Sequence, residues 1–504
     1  VPAQITTRAQ VNGYRFLLRR LEHALIRGDS RMIHDPMRGQ TRSMLVGLVI
    51  GIIIVGACGV LAFFKPQPSV GNANILLSKS NGAIFVRIGD RAHPALNVAS
   101  ARLIAGSSEA PAVVDDKKLA ALQRGPVVGI VGAPMSIAGG DDMSKSHWTV
   151  CDATETPAVV ESTGSRMVRT SVLASEPVLN GETRPAGSGD AVLVRAAGQD
   201  YLLYDGVRAP IDPADPVLAN ALHLSGAESR EISPGLLNAF PLAAPIVPVS
   251  VPGAGQRGPA VLPESVTVGS IIRTSDTAGD KLFVVLADGV QQISPPTADI
   301  IRYGDPAADR EPQTVSPALL TAVPVVERLP LGHYPTVTPR IADVHADPVV
   351  CFAWQRGNTE NSASTHMLIG RRVPVPAGAA TVPLATADGN GPQLDSVYLK
   401  PGTGEYVQAV GAAPASGAMG QLFYVADTGQ RFHIHDPAAA GALGVHGVDD
   451  PANPHGEHKL PQLAPWPVLS LLPAGPELSQ QAALIAHDGM SADAAGGPFQ
   501  LPEN

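Results

Sequence analysis

The hydrophobic pattern changes character twice along the chain. In residues 10–27, Val11, Tyr14, Leu17, Leu18, Leu21 and Leu25 recur at helical spacing, while Arg15, Arg19, Arg20, Glu22, His23 and Arg27 fall on the other face and Phe16 sits out of register. That spacing predicts an amphipathic helix. From Ser43 to Phe64 the chain then runs 22 residues without a charge, and about 20 apolar residues suffice to cross a bilayer core. A cleaved signal peptide has a shorter apolar region followed by a small-residue cleavage site. The stretch is therefore read as a retained transmembrane helix over residues 43–64.

Beyond Lys65 the apolar runs are short and separated by turns. Four of them share one plan, an apolar strand, a Gly turn and a short strand: Ile84–Asp90, Tyr201–Gly206, Phe283–Gly289 and Phe423–Gly429. Asp-Gly and Asp-Thr-Gly between apolar runs are hairpin signals, because glycine accepts a positive φ. Each run leads into a candidate helix, at Val98–Ile104, Pro216–Leu222, Thr297–Tyr303 and Pro437–Val445. Two strands and one helix bury no core alone, so the units are expected to pack as repeat modules around a central strand-rich region. Their spacing is too irregular for a solenoid. Pro-rich connectors lie at Pro241–Pro263 and Pro330–Pro339, and residues 489–504 read as a flexible, Ala- and Gly-rich tail. The fold class expected is α+β, with an elongated domain over 65–488.

Composition agrees with this turn-rich plan. Of 504 residues, 51 are Gly and 47 Pro, which disfavours long helical bundles. Charge divides the chain at the apolar run. Residues 1–42 hold eight arginines against Glu22, Asp29 and Asp35, net +5, so the remainder carries −14 of the total −9. Positive flanks stay in the cytoplasm, which puts the N-terminus inside and residues 65–488 outside. The acidic bulk argues against nucleic acid as a partner, whereas the arginine-rich helix, with Arg15, Arg19, Arg20 and Arg27, suits a protein partner or anionic lipid. Cys58 lies in the span. Cys151 and Cys351 alone lie on the exported side, each on a strand-like run with a tryptophan nearby. One bridge between them is the simplest reading in an oxidising compartment, two buried thiols the alternative.

Motifs for chemistry are sparse. A P-loop requires a Gly-Lys-Ser/Thr ending, and the chain has no Gly-Lys pair. The spaced glycines Gly253, Gly255 and Gly258 are bracketed by Pro252, Pro259 and Pro263, so a linker is expected rather than a dinucleotide loop. The serine-hydrolase elbow, S-x-x-K and H-E-x-x-H are absent. His433, His435, His446, His455 and His458 cluster late, without the spacing of a zinc site. The carboxylate pairs Asp115-Asp116, Asp141-Asp142 and Asp449-Asp450 read as solvated turns. No catalytic, cofactor-binding or metal-binding residue is assigned.

A family resemblance rests on longer strings. Gln10-Val11-Asn12-Gly13-Tyr14-Arg15-Phe16-Leu17-Leu18-Arg19-Arg20-Leu21-Glu22-His23-Ala24, Arg31-Met32 and Asp35-Pro36 resemble the N-terminus of EccB, a membrane component of mycobacterial type VII (ESX) secretion systems. His93–Asn97, Ser100–Ile104, Arg124-Gly125-Pro126, Gly132-Ala133-Pro134, Trp148–Asp152, Ala464-Pro465-Trp466, Gly475-Pro476, Leu478-Ser479 and His487-Asp488 follow in order. The resemblance implies an inner-membrane protein with a periplasmic domain of repeats. It also implies self-association and assembly with EccC, EccD and EccE subunits, EccC being the P-loop motor. The family is often labelled ATPase, but this chain has no Walker A motif onto which a residue can be carried, so ATP enters as a cofactor by label only. The expected function is a structural subunit of the export complex. An anchored atypical ATPase and a cell-envelope-binding module are the rivals.

Overall fold

A computed structural model describes residues 7–28, 30–31, 36–64, 73–138, 145–155, 167–276, 279–304, 311–389, 391–444 and 461–490. The chain divides into two compact units, Val1–Gly71 and Asn72–Asn504.

In the first unit the amphipathic segment is the helix Arg8–Arg27. The Thr7 N–H donates to the Gln10 side chain at its start, and left-handed Gly28 (φ 63°) stops it. A second helix, Pro36–Phe64, contains the whole apolar run. It begins before Ser43 because hydropathy marks only the apolar stretch, whereas helical hydrogen bonding continues to Pro36, a residue suited to the first turn. Among the described residues this is the one helix long and apolar enough to cross a membrane, over Arg42–Val60.

The second unit contains four small sheets built to one pattern. In each, three antiparallel strands form a meander, a helix follows, and a last strand returns parallel to the first, giving the spatial order 4-1-2-3. The first sheet uses Ile75–Ser78, Ile84–Ile88, Arg91–Pro94, helix Val98–Ala105 and Ala112–Val114. The second uses Asp190–Ala196, Gln199–Tyr204, Val207–Pro210, helix Pro216–Ala221 and Arg230–Glu231. The third uses Ile271–Asp276, Gly279–Leu286, Gly289–Ile293, helix Pro295–Gly304 and Gln313–Thr314. The fourth uses Gly404–Val410, Met419–Ala426, Arg431–Ile434, helix Pro437–Leu443 and Gln462–Pro465. The strand–turn–strand runs and helices read from the sequence are present, but the first and last strands of each sheet were not foreseen. Of the expected helix bounds, Val445 lies outside the described residues.

Local chemistry accounts for these elements. Asp205 and Gly206 both take positive φ (45° and 77°) at the second sheet's turn, as a tight two-residue hairpin requires. Asn97, Asp215 and Asp436 each cap the following helix, accepting from backbone N–H groups of its first turn. A later segment then lies parallel to each third strand, at Ala95 with Val128, Arg208 with Leu242, Val290 with Val325 and Arg431 with Ala474, covering an edge that would otherwise be open. The connectors Pro241–Pro263 and Pro330–Pro339 thus pack closely: the Tyr334 hydroxyl in one donates to the Val247 carbonyl in the other.

A seven-stranded sheet packs against the second and fourth. Its order is Val382–Pro383, Ser396–Tyr398, Met167–Leu173, Ser146–Glu155, Val349–Arg356, Ser364–Gly370 and Thr183–Pro185. Two antiparallel hairpins meet at its centre, with Cys151 opposite Cys351 and Trp148 opposite Trp354. One face carries Trp148, Val150, Phe352 and Trp354 into a core shared with the second and fourth sheets. The first and fourth sheets share a core through Leu103 and Leu443, and the second and third do so through Leu218 and Ile300. In chain order, sheet one, a central hairpin and sheet two correspond to sheet three, the other hairpin and sheet four, and the two shared cores match under that exchange.

Candidate functional site: a disulfide-linked sheet and a basic helix

Alternation along the strand Ser146–Glu155 sends Cys151 to one face of the central sheet and Trp148, Val150 and Asp152 to the other. Cys151 and Cys351 are bonded, with their Cα atoms 4.0 Å apart. Both are fully buried, among Leu173, Val349, Leu368 and Tyr398. The bridge read from the sequence is therefore present, and it pins the two central hairpins at their meeting point. Cys58 is the remaining, exposed thiol.

Asp152 escaped the sequence reading. Its carboxylate is buried and accepts from the Ser233 N–H (2.6 Å), the Ser233 hydroxyl (2.9 Å) and the Thr170 hydroxyl (2.9 Å). Ser233 in turn caps the helix Pro234–Ala239, so the carboxylate ties that helix to the central sheet. Asp395 stands across Thr170, accepting from the Thr170 and Gly389 N–H groups at 2.7 and 2.8 Å. Burial pushes the Asp152 carboxyl up to about 6, against the lowering effect of its hydrogen bonds and with a smaller contribution from the Asp395 charge. Asp152 shares its strand face with Ser146, Trp148, Val150 and Thr154, and its partner Ser233 is 81 residues away.

The arginines Arg15, Arg19, Arg20 and Arg27 are all exposed on the helix Arg8–Arg27. His433 and His435 both face Glu477, at 3.3 and 3.0 Å, but no cluster of three metal-ligating side chains occurs among the described residues. His446, His455, His458, Asp141-Asp142 and Asp449-Asp450 lie outside the described residues, as does the expected tail from residue 491 onward. Gly253 and Gly255 take positive φ in a turn that packs back through the Gly255 N–H on the Val268 carbonyl; no helix begins there.

Two clefts stand out. The larger, about 1190 Å³, is lined in part by Arg273, Asp280, Lys281, Glu327 and Arg328. Two of its arginines are already matched, Arg328 to Asp288 at 2.9 Å and Arg273 to Asp280 at 4.0 Å, which leaves little excess charge for a phosphate chain. The smaller, about 330 Å³, is apolar, formed by Val410, Met419, Phe423 and Trp466 among others; Arg431 stacks over the Phe423 and Trp466 rings. Neither sets a nucleophile beside a base.

Comparison with known proteins gives one answer along the length of the chain. The family described as "Type VII secretion system ESX-1, transport TM domain B" matches residues 3–492. The chain is 34% identical to the ESX-5 secretion system ATPase EccB5 of Mycobacterium tuberculosis, over 99% of this chain and 97% of that protein. It is 35% identical to the ESX-3 secretion system ATPase EccB3 of Mycolicibacterium smegmatis, over 96% and 91%. Among solved structures, a chain of an intact ESX-5 inner membrane complex superposes with a TM-score of 0.71 at 33% identity, covering 99% of both chains. The EccB3 dimer from the ESX-3 core complex gives 0.69 at 34% identity, over 82% of this chain and all of that one. The apolar helix Pro36–Phe64, the disulfide-centred sheet and these full-length likenesses place the chain in the EccB family of type VII secretion membrane components.

Proposed function

We propose that this protein is a structural subunit of an ESX-type inner-membrane secretion complex. The observation that carries the reading is the superposition, over 99% of both chains, on a component of an intact ESX-5 inner membrane complex. In this reading the chain spans the membrane once, its N-terminus is cytoplasmic, and the unit Asn72–Asn504 is periplasmic. The arginine-weighted start and the acidic remainder support that orientation. The four like-patterned sheets are repeat modules of one ancestral unit, and the central sheet locks them into a rigid body. Self-association finds support in the dimer formed by the EccB3 relative. Assembly with EccC-, EccD- and EccE-type subunits follows from the family resemblance.

The relatives' printed names favour a second reading, ATP hydrolysis. The sequence has no Gly-Lys pair with which a P-loop would cradle a triphosphate, and the large cleft holds nearly balanced charge. Purification of the tagged full-length chain in mild detergent from its native membrane tests the proposal. Recovery of one large complex containing multispan proteins and a P-loop ATPase is expected, with no thermal shift of the isolated chain on adding Mg-ATP. Recovery of the chain alone, with ATP turnover lost on denaturation, would overturn the structural reading.

A further inference from the structure

The helix Arg8–Arg27 leaves its apolar stripe uncovered. Val11, Tyr14, Leu17, Leu18, Leu21 and Leu25 are between 40 and 79% exposed. At 100° per residue they fill one side, and the single buried residue of the helix, His23, lies nearly opposite their centre. What packing the helix receives therefore falls on its polar side, and the stripe faces outward. Arg8, Arg15, Arg19, Arg20 and Arg27 lie at least a quarter turn from the stripe centre, on both flanks, against one acid, Glu22. A low-hydrophobicity helix with an apolar stripe flanked by arginines is the form that lies in a membrane interface, its rings and leucines among the upper acyl carbons and its guanidinium groups at anionic headgroups.

Tether length supplies the second argument. Eight residues, Gly28–Asp35, separate this helix from Pro36, where the apolar helix begins. Fully extended they span about 30 Å, no more than the length of a 20-residue helix. The stripe is thus held permanently within reach of the leaflet the chain enters. We infer that residues 8–27 lie flat on an anionic bilayer surface, with Tyr14, Leu18, Leu21 and Leu25 inserted and Arg15, Arg19, Arg20 and Arg27 paired with lipid phosphates. The chain then has two contacts with the membrane rather than one.

The inference rests on reading Pro36–Phe64 as membrane-spanning, and the two fail separately. Extraction of the full-length chain by alkaline carbonate would remove the span itself. For the interfacial helix, the full-length Cys58→Ala protein is reconstituted in phosphatidylglycerol-containing vesicles, with Cys151 and Cys351 left oxidised. Nitroxide labels are placed singly at Tyr14, Phe16, Leu18, Arg20, Leu21, Leu25 and Arg27. The ratio of oxygen to nickel-chelate accessibility should peak at 14, 18, 21 and 25 and fall at 16, 20 and 27. Each arginine near an anionic surface is worth about fivefold in partitioning. The combined Arg15→Gln, Arg19→Gln, Arg20→Gln and Arg27→Gln variant, or pure phosphatidylcholine vesicles, should therefore flatten the pattern, and the corresponding Lys variants should restore it. Uniformly high nickel access on anionic vesicles would overturn the inference, as would a pattern that arises only when other secretion subunits are present. A pattern indifferent to lipid charge would overturn the role given to the arginines.

Discussion

Loss of the central disulfide is the most direct test of how the unit Asn72–Asn504 is held together. Cys151 and Cys351 close a loop of 200 residues, for which the chain-entropy relation gives about 5 kcal/mol of stabilisation. The perturbation must remove the cross-link without adding a polar group, because both sulfurs are fully buried among apolar side chains. Cys151→Ala with Cys351→Ala does this, whereas Cys151→Ser adds the cost of a buried hydroxyl, about 1–3 kcal/mol. Unfolding of a unit of this size carries an entropy near 0.9 kcal/mol/K at about 2.1 cal/mol/K per residue. The double alanine variant should then melt about 5–6 °C below the wild type, and Cys151→Ser 1–3 °C lower again. Calorimetry of the full-length chain in detergent, with and without reductant, is the assay; reductant should move the wild type to the double variant's midpoint after denaturing cycles and leave the variant unmoved. A double alanine variant that melts within 1 °C of wild type would refute the reasoning. So would unfolded, unreduced wild type that takes up alkylating reagent at both positions.

Asp152 should make stability pH-dependent in an unusual direction for a carboxylate. Its native value of about 6 lies above the ordinary 3.8, so the native state holds the proton more tightly; its contribution is complete below about pH 4 and is lost as pH rises through 6. Chemical denaturation of wild type relative to Asp152→Asn should show wild type losing about 3 kcal/mol between pH 4 and 7; a relative gain over that range would show the sign to be wrong. Gly429 takes φ 86°, and a Cβ there would overlap a Val397 methyl, so Gly429→Ala should destabilise by roughly 2–4 kcal/mol, read as an earlier urea midpoint. The buried Arg356 guanidinium donates to the Glu360, Ser416 and Asn361 carbonyls. Arg356→Ala should cost about 3 kcal/mol through unpaired carbonyls, and proteolysis should then open first at the 411–418 loop.

Legibility in the sequence followed how local each cause is. The apolar helix and the basic helix depend on consecutive residues, so apolar length and a 3.6-residue period disclosed both. The disulfide could be read because compartment and elimination left only Cys151 and Cys351. The second and third strands of each small sheet announced themselves by the glycine-containing turn between them, but the first and last did not. Ala112–Val114, Arg230–Glu231 and Gln313–Thr314 are two or three residues long, too short for any periodicity, and they exist as strands only because a parallel partner is already in place. Asp152 was missed for the opposite reason. Its meaning depends on Ser233, 81 residues away, and no local pattern carries that information. Proline richness marked the connectors but not their packing, in which Leu242 and Ile246 complete a sheet edge.

The pairing of the small sheets has a mechanical consequence. Were the four strung in sequence, each would transmit load only to its neighbours, as in a solenoid, and a pull on the chain at residue 72 would act on the first sheet alone. Instead the first sheet shares its core with the fourth, through Ala99, Leu103, Leu443 and Leu478, and the C-terminal strand Ala486–His487 pairs with Val127–Val128. The start of this unit is thereby clasped by its last described strand. Between them the load meets the central sheet, where the two hairpins are joined covalently at Cys151 and Cys351. Peeling the first sheet away requires breaking a core and a strand pair together, and unravelling beyond it requires breaking a disulfide. Rigidity of that kind suits a structural subunit of a membrane complex.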